Sequence, residues 1–251
     1  MNQFISTLAE QWPNYILEII VIILGVLGAF MLNRWYDIYK ESKKEKIYLQ
    51  SLLGDLRNQM EEIKIQIASE KPILESLHWL GNIISKDFTN TTPGEVNKHL
   101  LSVFEIRNFN TIKTTFLDLQ SSGNFEIIKD QKLKDAIHVF YQDMTRKARV
   151  IYQNVNHEIF IYSQGLLDNS LINIHPENYM KHLNPIDFIF NEKVESKIDK
   201  LAFNNLTKDE NLVYLKNAIS AKALIVKINL TYLEAINSGA KSLIADINSA
   251  L

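Results

Sequence analysis

Six histidines are the first residues to test for chemistry: His78, His99, His138, His157, His175 and His182. Two imidazoles that share a metal on one helix face need to sit four residues apart. No two histidines here keep that spacing. His175 and His182 share an irregular, proline-containing stretch, where a metal stays an open alternative; the reading adopted is no metal and no cofactor. Four carboxylates, Asp118, Glu126, Asp130 and Asp135, gather around one helix junction. Their ordinary use is a solvated face and helix starts, where the backbone dipole favours negative charge. Arg146, Lys147 and Arg149, with Tyr141 and Tyr152 nearby, form a basic-aromatic pattern. On a chain of net charge −2 this reads as an exposed helix face rather than a nucleic-acid surface. Cysteine is absent, which excludes disulfides, thiolate metal sites and cysteine nucleophiles. No glycine-rich phosphate loop and no Gly-x-Ser-x-Gly elbow occur. The expectation is a protein that is not an enzyme; a membrane-tethered hydrolase would lack both a nucleophile and a metal set.

The elements that would position any site begin with an apolar segment. The chain has 251 residues, 46% apolar and 22% charged, with only eight glycines and five prolines. Scarce turn formers favour few, long helices. Residues 19–32 carry no charge, and a helix from Trp12 to Trp35 would be roughly 35 Å long, enough to cross a hydrocarbon core of about 30 Å. Trp12 and Tyr15 mark one end and Trp35, Tyr36 and Tyr39 the other, as membrane interfaces prefer. Pro13 suits a first helical turn. A cleaved signal peptide would want a basic start and a small-residue cleavage site, and no Lys or Arg precedes Arg34. The division expected is an N-terminal segment 1–12, a spanning helix 13–37 and a helical soluble domain 38–251. Arg34, Lys40, Lys43, Lys44 and Lys46 follow the span, which by the positive-inside rule places the C-terminal domain in the cytoplasm. Glu18 lies within a turn of Tyr15, where a carboxylate can snorkel to the interface. Its alternative is a face toward a neighbouring subunit or an ion path. Gly25 and Ala29 would allow close helix approach, though small residues at that spacing are common in spans.

Behind the span, residues 38–70 continue as helix, with Leu49, Leu52, Leu56, Met60, Ile63 and Ile67 at steps of three and four. Core packing within one chain is the first reading of this stripe; a parallel coiled-coil stalk between subunits is the alternative. Pro72 is expected to start a new helix, and residues 88–94 to form a loop. Short helices are expected around 95–104 and 112–122. Ser121 and Ser122 bond the last carbonyls of the latter, Gly123 stops it at positive φ, and Phe125 packs back on it. Residues 130–165 read as a second long helix and 173–191 as a long loop. The pattern Thr207-x-x-Glu210 predicts a capping box for a last helix whose stripe runs from Leu212 to Leu251. The fold class expected is all-α, a spanning helix continuing into an antiparallel bundle.

Two segments resemble a known family. Glu18, Gly25, Ala29, Asn33 and Trp35 match the opening of a group of small, single-span bacterial membrane proteins of Bacteroidota type, whose domain has no assigned function. Their span reads Glu, an apolar run, Gly-Ile-x-Ile-Ala and then Asn-x-Trp-Asn; Tyr36 departs from the final Asn. Leu119-Gln-Ser121-Ser122-Gly123 is similar to that family's Leu-x-Ser-Ser-Gly segment. The resemblance covers most of residues 15–160. It implies one span in a bacterial inner membrane and a helical domain, and supplies no catalytic residue or cofactor. The function expected is a membrane-anchored interaction or scaffold protein, bound to the lipid bilayer and to further copies of itself or another membrane protein. Alternatives are a single-span sensor whose bundle binds a small ligand, and an oligomeric ion path through Glu18.

Overall fold

The computed structural model of the chain describes residues 2–154, 159–174 and 190–251, and of 2–15 and 159–162 the backbone alone. Seven α-helices are described. They are α1 (Asn2–Ile84), α2 (Pro93–Leu100), α3 (Thr114–Ser121), α4 (Gln131–Gln153), α5 (Ile159–Asp168), α6 (Glu192–Leu206) and α7 (Asp209–Ala250). Tight 3-10 turns cover Leu101–Phe104 and Asn124–Ile127. There is no strand among the described residues, and the fold is all-α.

Burial explains the arrangement. Leu49, Leu52, Leu56 and Ile63 of α1 are buried with Ile137, Tyr141 and Met144 of α4 and with Leu233, Ile236, Leu243 and Ile247 of α7. Further along, Ile73, Leu77 and Leu80 are buried with Leu100, Val103, Leu166, Leu215 and Ile219. Residues 49–63 of α1 therefore meet the later part of α7 and residues 73–80 its beginning, so the two long helices run antiparallel. Each fully buried Leu or Ile stabilises by about 1.5–3 kcal/mol, which makes α1 the spine of both clusters. Of the stripe, Leu49, Leu52, Leu56 and Ile63 are thus taken up by α4 and α7 of the same chain, and Met60 packs half-buried against them. Within this chain the stripe packs as core, the first of its two readings.

Two expected boundaries are also corrected. The helix does not start near Trp12 or restart at Pro72: α1 runs unbroken over 83 residues, about 125 Å, with both Pro13 and Pro72 inside it. A mid-helix proline costs about 3 kcal/mol, partly through the carbonyl four residues back. Here Ala68 and Pro72 are both exposed, so that carbonyl faces water, while Ile73, Leu77 and Leu80 bury the turns that follow. The capping box expected at Thr207 does not form. Thr207 closes α6, its hydroxyl donating to the Phe203 carbonyl at 3.1 Å, and α7 starts at Asp209 after Lys208. A complete capping box stands instead at α2, within the stretch read as loop. The Thr92 hydroxyl accepts from the Glu95 N–H, and the Glu95 carboxylate accepts from the Thr92 N–H at 2.9 Å. The Thr92 N–H, with the Thr92 hydroxyl that also donates to this carboxylate, holds the Glu95 carboxyl below its ordinary pKa. The expected 130–165 helix corresponds to α4 and the first part of α5; its middle, 155–158, lies outside the described residues, as does most of the expected loop, 175–189.

Candidate functional site

The first feature without a structural use inside the described part of the chain is the stretch of α1 from Ile16 to Trp35. An 18-residue window there has a mean hydropathy of 2.5 with none of it buried, so α1 is long and apolar enough to cross a membrane. Phe30, Met31 and Trp35 are each about 70% exposed, which for side chains of this size is an unpartnered apolar surface. Glu18, Gly25 and Ala29 lie exposed on it, and a Cβ added at Gly25 would meet nothing within 4 Å. Trp35 stacks loosely on Tyr39, ring centroids 6.4 Å apart, and Asn33 donates to Asp37 at 3.4 Å.

Directly after this surface the bundle takes hold of α1. The Tyr48 hydroxyl donates to the Asp118 carboxylate at 2.9 Å and accepts from the Asn124 amide at 2.9 Å. Lys44 donates to the Asn124 side-chain oxygen at 2.8 Å. Glu45 accepts from the Lys129 N–H at 2.8 Å, and the Lys129 ammonium donates to the Ser42 hydroxyl at 2.7 Å. The segment that faces α1 here is the one containing Ser121, Ser122 and Gly123. Gly123 takes φ +68°, a left-handed conformation that an L side chain adopts at a cost. The Ser122 and Ser121 hydroxyls donate to the Asp118 carbonyl at 2.6 and 3.4 Å. Phe125 then meets Phe116 edge-on at 5.8 Å, and Phe116 stacks on buried Tyr141 at 4.4 Å. The α3 stop is therefore a bracket: α3 points Asp118, and the turn after it Asn124, at the two turns of α1 nearest the exposed apolar surface.

Among the described residues, the groups suspected of chemistry do not converge. Asp118 serves Tyr48, Glu126 pairs with Lys134 at 2.9 Å, Asp130 caps α4 by accepting from the Lys132 N–H at 2.8 Å, and Asp135 accepts from Gln131 at 2.8 Å. Arg146 and Lys147 both pair with Asp143, whose carboxyl is held below its ordinary pKa chiefly by the Lys147 bond. His99 stacks on Trp79 at 4.1 Å and His138 packs against Phe125 at 5.0 Å. His157, His175 and His182 lie outside the described residues. Among the described residues no three His, Asp or Glu side chains gather as a metal site.

What sequence reasoning missed is a buried polar layer between the two apolar clusters. Lys222 is 3% exposed and Glu70 2%. The Lys222 ammonium donates to the Glu105 carbonyl. Gln59, also buried, donates to the Asn110 carbonyl at 3.2 Å and accepts from the Ile112 N–H at 2.6 Å; Asp55 accepts from the Thr115 N–H at 2.8 Å. Together they strap residues 105–115 across α1 and α7. Burial lowers Lys222 to about 8, against the attraction of Glu70 and Glu105, and burial raises Glu70. For both groups the loss of water outweighs their mutual attraction. The signal was present: steps of three and four along α7 from Leu215 and Ala218 pass through Lys222 and Asn229.

Comparison of the chain with protein-family models, with curated proteins and with solved structures found no match.

Proposed function

We propose that this chain is a membrane-anchored helical interaction module, with residues 16–35 of α1 spanning a bacterial inner membrane and the bundle held at its cytoplasmic face. The observation that carries the reading is the continuity of α1: one helix presents an exposed, largely apolar surface from Ile16 to Trp35 and is the buried spine of a bundle from Leu49 onward. The basic residues after Trp35 support the orientation, and the likeness of segments 18–35 and 119–123 to the single-span family supports the anchor. The bracket from Asn124 and Asp118 to α1 would fix the bundle to the span so that a partner, or a second copy docked through the Gly25 and Ala29 face, is held in a set geometry. The test is the native mass of gently detergent-extracted full-length protein, with co-purifying species identified. A defined oligomer or a stoichiometric partner supports the module; a bare monomer whose span is cleaved or lies outside the membrane fraction refutes it.

An ion path is a second reading, favoured by the exposed Glu18 carboxylate on an apolar surface. Unchanged conductance in Glu18→Gln would dispose of it.

A further inference from the structure

A groove of about 730 Å³ runs along α1 beside α7, on a side that no described helix covers. Met60 and Ile67, half-buried, give it an apolar floor above the buried Ile63, and Arg57, Lys64 and Lys71 follow one another along its α1 wall at seven-residue spacing. Lys241 faces them from α7. Two turns of helix separate successive cations, about 10 Å each, so the row extends about 20 Å. Two carboxylates also line the groove. Glu61 is engaged by Lys64 at 3.4 Å, and Glu75 stands at the far end. Arg57, Lys71 and Lys241 form no salt bridge among the described residues. The free charge of the groove is therefore positive on a chain that is negative overall.

Position and charge choose the occupant. The groove starts at Arg57, about 33 Å along the helix from Trp35, several Debye lengths beyond any bilayer surface, so lipid headgroups in that bilayer do not reach it. A second copy anchored in the same bilayer would bring its own α1 alongside in parallel and in register. Arg57, Lys64 and Lys71 would then face themselves, a like-charge arrangement that repels. The antiparallel pairing matches Arg57 to Glu75 and Lys71 to Glu61, but it would send the two spans in opposite directions. A groove between antiparallel helices with apolar side chains two turns apart on its floor fits a further helix, which would complete a four-helix arrangement with α1, α4 and α7.

We propose that the groove between α1 and α7 docks an amphipathic helix of a different, acidic protein, its apolar face on Met60 and Ile67 and its carboxylates on Arg57, Lys71 and Lys241. This deepens the interaction-module reading and rests on it for the exclusion of lipid and of a second copy.

The test uses full-length protein in detergent micelles and a fluorescent synthetic 18-residue helix with leucines at i, i+3, i+4 and i+7 flanked by glutamates. A peptide of the same composition, with the leucines distributed around the helix, is the comparison. The expected result is saturable binding at least tenfold tighter than the comparison. It should weaken at least tenfold in the triple variant Arg57→Gln, Lys71→Gln, Lys241→Gln. The triple variant Lys132→Gln, Lys197→Gln, Lys216→Gln, which removes the same charge outside the groove, should bind as the parent does. All six side chains are exposed, and circular dichroism checks that helicity is retained. Equal binding of the two peptides, or equal loss in the two variants, overturns the proposal. Loss of a native dimer in the groove variant alone also overturns it and assigns the groove to a second copy. The native mass of the parent reads the module itself, so a groove that binds nothing on a chain that still extracts with a partner sinks only the groove.

Discussion

Removal of the Lys222 charge gives the sharpest test of the buried polar layer. The ammonium is 3% exposed and held at about 8, below the ordinary lysine value, mainly by loss of water. In the unfolded chain the same group titrates near 10.4. Between those values the unfolded chain binds a proton that the native chain does not, so stability from this group rises with pH. Below about pH 8 both states are protonated and the burial cost is carried in full. At 1.36 kcal/mol per pH unit, the native state gains about 2 kcal/mol from this group between pH 7 and pH 9.5. Lys222→Met keeps the length of the side chain and removes both the charge and the bond to the Glu105 carbonyl. Its offset at pH 7 combines relief of desolvation with an orphaned carbonyl. Whatever that offset, the difference between parent and variant should move by about 2 kcal/mol in the parent's favour by pH 9.5. Denaturant unfolding of the full-length chain in detergent, followed by circular dichroism at several pH values, reads it directly. A difference that does not change with pH, or moves toward the variant, refutes the reasoning that burial dominates the ammonium.

Three further substitutions test the bracket and the far end of the bundle. Gly123→Ala places an L side chain at φ +68° and should cost about 1–2 kcal/mol by denaturant unfolding. Tyr48→Phe removes the bonds to Asp118 and Asn124; it should cost about 1 kcal/mol and accelerate amide exchange of residues 118–124 while leaving α2 and α6 unchanged. At Gly165, an added methyl would collide with the Tyr214 ring, so Gly165→Ala should destabilise by about 1–3 kcal/mol and lower the melting temperature; a neutral result would show that the α5–α7 contact yields easily.

The helices were legible because their burial follows one rule. Steps of three and four in residues 49–63 and along the last helix mark the faces that α1 and α7 turn to each other, and the all-α class follows from them. Pro72 misled because breaker residues are judged by local cost, whereas Ile73, Leu77 and Leu80 contribute packing that only the folded bundle reveals. Thr207 and Thr92 carry the same capping chemistry, and the sequence alone does not show which chain direction each must serve. The approach of Ser42–Tyr48 to Asp118–Lys129 joins residues about 70 to 87 positions apart. Periodicity says nothing about which helix ends meet. The Ser121-Ser122-Gly123 turn could be recognised as a stop, but not as something that aims Asn124 at α1. Lys222 was passed over for the opposite reason: a lysine inside an apolar stripe reads as an interruption of the stripe, and here it is a member of it.

The unbroken course of α1 sets an angular phase between whatever Glu18, Gly25 and Ala29 face in the bilayer and whatever the bundle faces above it. Each residue added between Trp35 and Ser42 would turn the bundle by about 100° and raise it by about 1.5 Å. Two residues would swing the Arg57–Lys71 row to nearly the opposite side. Seven would return it to within about 20° of its original heading while lifting it about 10 Å. The number of residues in that short stretch of helix acts as a compass setting for the domain, with heading and height tied to a single count.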